Sequence, residues 1–453
     1  MKKSFDYDLI VIGSGDAGGE AALIAAKSGL KVALIEAKKW GGSSLNSTSV
    51  PFGAALQASA TYACAIDGAQ FGISSSNLRY NYPTLLNWIG KAGKAAGANS
   101  KKTFEEAKIK CISGTSRLIS SHEISVNDKT LAAKKFLIAT GASTANTGIK
   151  IPEGMNYHLP EDIVSLPRMP KSVFIVGAGS TGCEFAQYFA NLGCEVVIAD
   201  IAGRLLPRED EEVGQVLDEV FHNYGIKVLT QTRVVALSQN GQEKSVIFMR
   251  GGQEKSIKVD AVFLCTGSAP NVDLGLENAD IKYARDGIKV DKTMQTNVRH
   301  IYAAGDVVGG HSSTEKAIID ARVAAAHIAG RSKSERSYKG LIRVTNTYPE
   351  IACVGISEDD CIRRDRKIKK IVVPLQAVQK SNIMGCYDGF IKLIFGKAGT
   401  LIGGTVMSPN AALVAQEISF GIRYEMTTEE ILSVPHVAND WCELVRTAAE
   451  RIK

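Results

Sequence analysis

The chain has 453 residues, which is too long for a single hydrophobic core and indicates about three domains of roughly 150 residues each. Its 45% of hydrophobic and 22% of charged residues are ordinary for a globular protein, and no run approaches the roughly 18 apolar residues of a membrane span. The net charge of +6 is mild. Its densest basic run, residues 363–370, precedes an apolar strand pattern and is interpreted as a solvated surface, so no nucleic-acid partner is predicted.

Nine cysteines are scattered singly along the chain. None forms a C-x-x-C pair, and their odd number argues against the disulfide framework of a secreted protein. The N-terminal residues run into a strand pattern without an apolar signal segment. The sequence therefore predicts a protein of the reducing cytoplasm, and no metal site is predicted.

The first element is an apolar strand pattern at Tyr7–Ile12, and a glycine-rich loop follows it directly. The loop places glycines at Gly13, Gly15 and Gly18, in the pattern G-x-G-x-x-G. An alanine-rich helix pattern and a second strand pattern come next, and the second strand ends at the acidic residue Glu36. Strand, loop, helix and acid in this order are typical of a dinucleotide-binding unit.

A second copy of this arrangement begins at Ser172–Val176. Its loop glycines are Gly177, Gly179 and Gly182, and its second strand ends at Asp200. In both copies 23 positions separate the first glycine from the closing acid. The repetition favours two dinucleotide sites over glycines that only form turns.

The residue types in these units follow from the geometry of a bound dinucleotide. The first glycine permits a tight turn, the second lets the backbone approach a pyrophosphate, and the third lets the helix pack closely on the strand. The diphosphate then lies at free N–H groups on the positive end of the helix. The acid accepts hydrogen bonds from the hydroxyls of an adenosine ribose.

Two later segments also match each other. Residues 136–142 contain a buried-strand pattern that ends in Thr140 and Gly141, and residues 262–270 contain a similar pattern that ends in a Thr-Gly pair at Gly267. We include Thr140, Gly141 and Gly267 among the cofactor-binding positions. Late strands of this kind are expected where a chain returns from an insertion.

The predicted fold is α/β, with two Rossmann-type dinucleotide-binding domains, one inserted in the other, and a C-terminal α+β domain. Residues 1–147 and 271–335 form the first domain, and residues 148–270 form the second. Residues 341–453 form the third domain, with a linker at 332–337. Its strand patterns lie at 391–395 and 401–407, and its helix patterns lie at 411–422 and 428–432.

By these motifs the chain resembles the class I pyridine nucleotide–disulfide oxidoreductases, especially dihydrolipoamide dehydrogenase, over essentially its whole length. The resemblance extends to residues 304–306, Ala-Gly-Asp, and to residues 347–355, which are similar to the opening of the family's dimerisation domain. It implies FAD in the first domain, a nicotinamide dinucleotide in the second, and a homodimer. It also implies that Asp306 accepts a hydrogen bond from the ribityl chain of the flavin.

The acids that close the two repeats indicate which nucleotides bind. Glu36 suits the unmodified ribose of FAD, and Asp200 favours NADH because a carboxylate repels a 2′-phosphate. Arg204 lies four residues further on and keeps NADPH open as the less favoured alternative. Glu184 resembles a family residue that lies close to the flavin and the nicotinamide, and we take it as the catalytic residue.

A helix beginning near residue 312 is predicted to point its N-terminus at the flavin. Ser312 and Glu315 have the spacing of a capping box. His311 lies beside them and is interpreted either as a loop residue or as a residue of the flavin site.

The redox segment departs from the family. The family has two cysteines, five residues apart, followed by Pro-Ser-Lys. Aligned without a gap, this chain has Ser44 and Ser49 at the two cysteine positions and Gly53 at the lysine position. A serine hydroxyl forms neither a disulfide nor a charge-transfer thiolate.

The C-terminal active-site segment departs as well. Where the family has a histidine that activates the thiol, this chain has Ala438, and it keeps the family's glutamate as Glu443. His436 lies two residues earlier and is expected to point elsewhere. Cys386 and Cys442 could form a relocated redox pair, although their spacing favours ordinary packing cysteines.

The function predicted from these features is an FAD-dependent NADH oxidoreductase that passes electrons from flavin to a small-molecule acceptor, such as a quinone, rather than to a disulfide. Ser180, in place of a bulkier residue in relatives, is expected to open the nicotinamide face. Two alternatives stay open: transhydrogenation between NADH and NADP⁺, and a catalytically retired flavoprotein that acts as a binding or redox-sensing module.

Overall fold

A computed structural model describes residues 5–74, 77–145, 148–241, 243–331 and 334–452. Residues 146–147, at the predicted boundary of the first domain, lie outside the described residues, as do residues 332–333 of the predicted linker. The same holds for the first four residues and the last residue of the predicted domains.

The N-terminal part of the chain builds a parallel sheet extended by an antiparallel hairpin. Strands β2, β1 and β6 run side by side in parallel, and β4 and β5 continue the sheet beyond β6. The inner strands are almost wholly apolar and buried, as parallel strands covered on both faces require. The elements are β1 (Tyr7–Ile12), α1 (Asp16–Lys27), β2 (Val32–Glu36), α2 (Gly42–Asn46), α3 (Ser49–Ile66), α4 (Tyr82–Gly97), α5 (Ser100–Glu106), β3 (Lys110–Ser113), β4 (Ser116–Ser120), β5 (Glu123–Val126), β6 (Lys129–Ile138) and β7 (Ala142–Thr144).

The chain then leaves this sheet and builds a second one. Its four parallel strands have the order β10-β9-β8-β14, and a three-stranded antiparallel sheet, β11-β12-β13, accompanies them. Strand β15 pairs with β7, so the outgoing and returning strands lie together. The elements are β8 (Ser172–Val176), α6 (Ser180–Asn191), β9 (Glu195–Ala199), α7 (Glu211–Asn223), β10 (Lys227–Leu229), β11 (Thr232–Asn240), β12 (Glu243–Arg250), β13 (Gln253–Val259), β14 (Ala261–Leu264) and β15 (Ser268–Pro270).

After β15 the chain returns to the first sheet. The last strand of this return, β18, pairs in parallel with β6 and completes seven strands. The prediction of two Rossmann-type units, one inserted in the other, is therefore confirmed. The elements are β16 (Tyr283–Ala284), β17 (Gly287–Ile288), β18 (Ile301–Ala303) and α8 (Thr314–Ile328).

The C-terminal part forms an antiparallel five-stranded sheet in the order β19-β20-β23-β22-β21, covered by helices. The predicted strands and helices of this part are present, and their ends lie within one residue of the predicted ones. The elements are β19 (Ile342–Thr345), β20 (Glu350–Gly355), α9 (Glu358–Arg363), β21 (Ile368–Pro374), α10 (Gln379–Met384), β22 (Phe390–Gly396), β23 (Leu401–Ser408), α11 (Ala411–Arg423), α12 (Thr428–Ser433) and α13 (Glu443–Arg451). Short 3-10 helices lie at Asp67–Phe71, Pro160–Val164, Leu276–Ala279, Gly305–Val308 and Leu375–Ala377.

A buried ionic cluster ties the C-terminal sheet to the second dinucleotide unit. The ammonium of Lys392, in β22, is fully buried and lies 3.2 Å from Asp210, 3.0 Å from Glu212 and 2.5 Å from Glu358. Asp210 and Glu212 belong to the start of α7, so the cluster spans the two parts. Removal of the Lys392 ammonium would leave Asp210 and Glu212 without their ion-pair partner, whereas Glu358 would keep its pair with Lys370.

We therefore expect Lys392→Met to lower the free energy of unfolding by about 3–5 kcal/mol, because uncompensated buried charges are costly. Arg117→Met is the control, since Arg117 pairs with Asp273 and Glu277 on the surface and its loss should change stability by less than about 1 kcal/mol. Urea unfolding followed by tryptophan fluorescence measures both. If both substitutions lowered the free energy of unfolding equally, the cluster around Lys392 would not be a special stabilising contact between the two domains.

Candidate functional site

The first glycine loop is shaped by contacts that exclude larger side chains. Gly13 has a φ of +98°, and a Cβ added there would lie 2.3 Å from the carbonyl oxygen of Ala139. A Cβ on Gly18 would lie 1.8 Å from the carbonyl oxygen of Gly13. Helix α1 begins at Asp16 after Gly15, and no side chain caps its first N–H groups. These groups fit the diphosphate of the predicted FAD.

Glu36 lies at the edge of this loop, at the end of β2. Its Oε2 accepts hydrogen bonds from the backbone N–H of Ser14 at 2.9 Å and from the hydroxyl of Ser14 at 2.6 Å. Its Oε1 accepts one from the N–H of Lys38 at 2.8 Å. The carboxylate is thus fixed against the loop, where the adenosine ribose is predicted.

The second glycine loop repeats this geometry. Gly177 has a φ of +105°, and its Cβ would lie 2.3 Å from the carbonyl oxygen of Cys265. A Cβ on Gly182 would lie 1.9 Å from the carbonyl oxygen of Gly177. Helix α6 begins at Ser180 after Gly179, again without a side-chain cap. This loop fits the diphosphate of a nicotinamide dinucleotide in the same way.

Asp200 closes the second repeat and is fixed by two backbone donors. Its Oδ2 accepts from the N–H of Ala178 at 2.6 Å, and its Oδ1 accepts from the N–H of Ala202 at 2.7 Å. Arg204 turns away toward the C-terminal domain, where it contacts Asp359 at 2.6 Å and donates to the carbonyl of Glu209 at 2.9 Å. The arginine charge is therefore already neutralised by a carboxylate.

The two Thr-Gly turns lie where the chain crosses between the dinucleotide units. The hydroxyl of Thr140 donates to the carbonyl of Asn271 at 2.7 Å, and the N–H of Asn271 donates to the carbonyl of Gly141 at 2.9 Å. The carbonyl of Gly267 accepts from the N–H of Ala145 at 2.9 Å. These bonds give the turns a structural role at the crossover, and their contact with a cofactor stays a prediction.

Asp306 and His311 lie after β18, at the carboxyl end of the first sheet. Burial raises the pKa of Asp306, and the ammonium of Lys316 lowers it in part. Burial lowers the pKa of His311, and the guanidinium of Arg343 lowers it further, so the imidazole is neutral at neutral pH. Both residues are within the region predicted for the flavin.

The predicted capping box at Ser312 and Glu315 is wrong. Helix α8 begins one residue later, at Thr314, and its N-cap is Ser313, whose hydroxyl accepts from the N–H of Lys316 at 3.2 Å. The shift places a lysine rather than Glu315 at the third helical position. Ser312 instead lies 3.2 Å from the hydroxyl of Ser268.

The positions of the family's cysteines hold a hydroxyl network in this chain. The hydroxyl of Ser44, in α2, lies 3.4 Å from that of Thr314, which donates to Asp16 at 2.8 Å. Burial raises the pKa of Asp16. Ser49 is the first residue of α3 and is exposed. None of these groups is a thiol, so the pair cannot carry disulfide chemistry.

Helix α3 packs on α6 through an aromatic pair that the sequence analysis missed. The rings of Phe52 and Phe185 stack with centroids 4.3 Å apart and an angle of 19°. Gly53 follows Phe52 and has open space around its missing Cβ. Glu184 precedes Phe185 in α6, and Gly53, at the position of the family's lysine, carries no side chain.

The C-terminal segment has no general base at the expected position. Ala438 is exposed. The Nε2 of His436 lies 2.6 Å from Glu417 of α11, so this histidine is directed into its own domain. Glu443 accepts a hydrogen bond from the N–H of Asn439 at 3.2 Å.

The cysteines considered for a relocated redox pair do not meet. All nine cysteines are free. Cys386 lies 3.1 Å from the hydroxyl of Tyr348, whereas the thiol of Cys442 donates to the carbonyl of Val437 at 3.6 Å. The two thiols therefore have different partners.

Glu184 is buried at the start of α6, beside the second glycine loop. Its Oε1 accepts two hydrogen bonds from Asn346, from the backbone N–H at 2.7 Å and from the side-chain amide at 2.8 Å. Burial raises the pKa of Glu184 to about 7, and the bonds from Asn346 oppose this rise. Asn346 was not predicted, because an isolated asparagine 162 positions away carries no motif.

In the described part of the chain, no group of three histidine, cysteine, aspartate or glutamate residues is placed to hold a metal ion. No helix of that part is long and apolar enough to cross a membrane.

Two family models match the chain. The model described as pyridine nucleotide-disulphide oxidoreductase matches residues 7–330, and that family's dimerisation domain matches residues 341–449.

Similar proteins cover nearly the whole chain. A dihydrolipoyl dehydrogenase of Chlorobaculum parvum is 30% identical over 98% of this chain and 97% of its own. A mercuric reductase of Staphylococcus aureus is 31% identical over 94% of this chain and 79% of its own. The crystal structure of LpdA from Mycobacterium tuberculosis superposes with a TM-score of 0.89 at 25% identity, covering 98% of this chain and 99% of that one. The HOCl-induced flavoprotein disulfide reductase RclA from Escherichia coli shares the fold, with a TM-score of 0.88 at 22% identity and coverage of 99% and 100%.

The geometry of the second loop predicts a selective loss of nucleotide binding. A methyl group at Gly179 meets no protein atom within 4 Å, but it occupies the space through which a pyrophosphate approaches the backbone. Gly179→Ala should therefore keep the melting temperature and weaken NADH binding about ten-fold or more, as measured by calorimetry on the FAD-loaded protein. Gly90→Ala, inside helix α4 with equally open space, should leave the NADH affinity unchanged and should not lower the melting temperature, because alanine favours the helix. Unchanged NADH affinity in Gly179→Ala would refute the site.

Proposed function

Because the chain belongs to the pyridine nucleotide-disulphide oxidoreductase family, we propose that it is an FAD-dependent NADH oxidoreductase whose flavin delivers electrons directly to a small-molecule acceptor, such as a quinone. The single observation behind the choice of acceptor is the serine pair at Ser44 and Ser49. A thiol relay requires two sulfur atoms that alternate between dithiol and disulfide, and two hydroxyls cannot replace them.

The other substitutions agree with this choice. Ala438 removes the base that would activate a thiol, and His436 is bonded to Glu417 instead. Gly53 stands where the resemblance implies a lysine that pairs with the glutamate, so that cation is absent. A nucleophile and its base are useful only together, so their joint absence is consistent with a reaction that needs neither.

The residues that would hold the two nucleotides fit them. The first loop and Glu36 offer free N–H groups and a ribose acceptor for FAD, and the second loop and Asp200 offer the same for NADH. When bound, FAD would accept a hydride from NADH together with a proton. It would then pass two electrons and two protons to a quinone, which becomes the quinol. The two glycine loops would orient the bound nucleotides so that the nicotinamide can reach the flavin.

The preference for NADH rests on Asp200 and Arg204. The carboxylate of Asp200 is fixed by two N–H groups at the place of the adenosine ribose, where it would repel a 2′-phosphate. Arg204, which could otherwise attract that phosphate, is paired with Asp359. Transhydrogenation requires one site to accept both nucleotides, so these contacts make it the weaker candidate.

A catalytically retired module is the other alternative. The absence of a cation at position 53 is compatible with a retired module, and slow reduction of the flavin by NADH would favour this alternative. We also propose a homodimer in the cytoplasm, on the basis of the family's dimerisation domain and the free cysteines.

Anaerobic titration of the FAD-loaded protein with NADH should bleach the flavin absorbance smoothly at one NADH per FAD, because no dithiol remains to take a second electron pair. No thiolate charge-transfer band should form, and a quinone should restore the oxidised spectrum. A flavin that stays oxidised would favour the retired module. Uptake of two NADH would reveal a second redox centre and refute the direct route.

The nucleotide preference should depend on Asp200 and not on Arg204. We expect kcat/KM to favour NADH over NADPH by about ten-fold or more, and Asp200→Asn to narrow that ratio by relieving repulsion of the 2′-phosphate. Arg204→Gln is the control and should leave the ratio unchanged, because the guanidinium already pairs with Asp359. A loss of NADPH use in Arg204→Gln alone would show that Arg204 binds the phosphate.

A further inference from the structure

Three residues on one face of helix α6 are bonded to a short segment of the C-terminal domain. The hydroxyl of Ser180 lies 2.7 Å from that of Thr345. Glu184 accepts both bonds from Asn346, and the side chain of Gln187 contacts Tyr348, donating to its carbonyl at 2.8 Å and accepting from its N–H at 2.5 Å. Because residues four and three positions apart share a helix face, these bonds form a continuous row. These hydrogen bonds hold the segment that contains Asn346 against helix α6.

Both hydrogen bonds that the carboxyl group of Glu184 accepts end on one of its oxygens. Oε1 accepts the backbone and side-chain N–H groups of Asn346, and both of these donors are neutral. In the described part of the chain, no protein donor is seen for Oε2. A carboxylic acid carries its proton on one oxygen while the other accepts, so this arrangement is compatible with a protonated group.

Among the described residues, none of the groups that shift the pKa of Glu184 is a cation. Helix α3, which packs against α6, has no charged residue, and Gly53 adds none. On β19, Arg343 is occupied by Glu209, with contacts of 3.1 and 2.7 Å.

The remaining titratable groups around Glu184 favour its neutral form or leave it unaffected. Glu350, at the start of β20, raises the pKa of Glu184 further. The thiols of Cys183 and Cys265 lie nearby and have pKa values raised by burial, so they are uncharged at neutral pH.

We infer that Asn346 is a positioning residue that holds Oε1 of Glu184 and leaves Oε2 free to carry a proton at the nicotinamide face. The inference rests on the proposed function for the identity of that face. The site then uses a neutral amide–carboxyl pair where the resemblance implies a lysine–carboxylate ion pair. Glu184 gains or loses one proton near neutral pH, and the proton exchanges with solvent.

Infrared difference spectroscopy of the oxidised, FAD-loaded protein tests the inference without NADH or an acceptor. The C=O stretch of a protonated carboxyl should disappear in one step near neutral pH, and Glu184→Gln should abolish that step. In Asn346→Ala the midpoint should move to higher pH, which corresponds to a proton affinity about ten-fold higher. The reason is that the hydrogen bonds of Asn346, which this variant weakens, favour the ionised form of Glu184.

A second pair of variants keeps the test decisive if Asn346→Ala fails to fold. Gly53 is exposed with open space, so Gly53→Lys can be accommodated, and the resemblance implies that a lysine at this position pairs with the glutamate. Gly53→Lys should move the midpoint of the Glu184 titration to lower pH, which corresponds to a proton affinity about ten-fold lower. Gly53→Met, which has a side chain of similar length without the charge, should leave the midpoint unchanged.

Two outcomes would overturn the inference: identical spectra for the wild type and Glu184→Gln, or midpoints indifferent to Asn346 and to a lysine at Gly53. Failure of quinone turnover would affect only the proposed function, since the infrared titration uses no electron donor or acceptor.

Discussion

Helices α1 and α6 lie so close to the glycine loops that precede them that the third glycine of each loop has no room for a Cβ. The added atoms would lie 1.8 and 1.9 Å from a carbonyl oxygen of the loop. This contact fixes both helix N-termini at the carboxyl ends of the parallel strands, where their free N–H groups can meet a diphosphate. Glu36 and Asp200 then bond back to the same loops, so each repeat is closed by its own acid.

The position of α6 also determines how the C-terminal domain joins the site. Ser180 and Glu184 are bonded to the segment that follows β19, and Arg343 of that strand pairs with Glu209. A second ion pair between the same two domains joins the fully buried Lys392 to Asp210. The dimerisation domain therefore contacts the predicted nicotinamide site through α6, and a change in the packing of this helix would alter both.

The sequence predicted what depends on short-range patterns and failed where distant residues meet. The repeats and the Thr-Gly strands follow from local rules, and the structure contains them. The cap of α8 was misplaced by one residue, because Ser312 and Ser313 are both acceptable caps and tertiary packing chose the second. The contact of Asn346 with Glu184 could not be predicted, because 162 positions separate them and an amide can bond to many partners.

The substitutions at the redox segment are physically consistent with one another. A thiolate needs a base and benefits from nearby positive charge, whereas the hydroxyls of Ser44 and Ser49 stay neutral and need neither. Without a lysine at Gly53, a buried carboxylate at Glu184 has no cation to compensate it, so burial favours the protonated form, and the two donors of Asn346 oppose this only in part. Phe52, stacked on Phe185, adds apolar packing beside the same position. A site that lacks the thiols, the base and the cation together cannot operate a thiol relay, whereas the proposed direct transfer from flavin to a small-molecule acceptor needs none of the three.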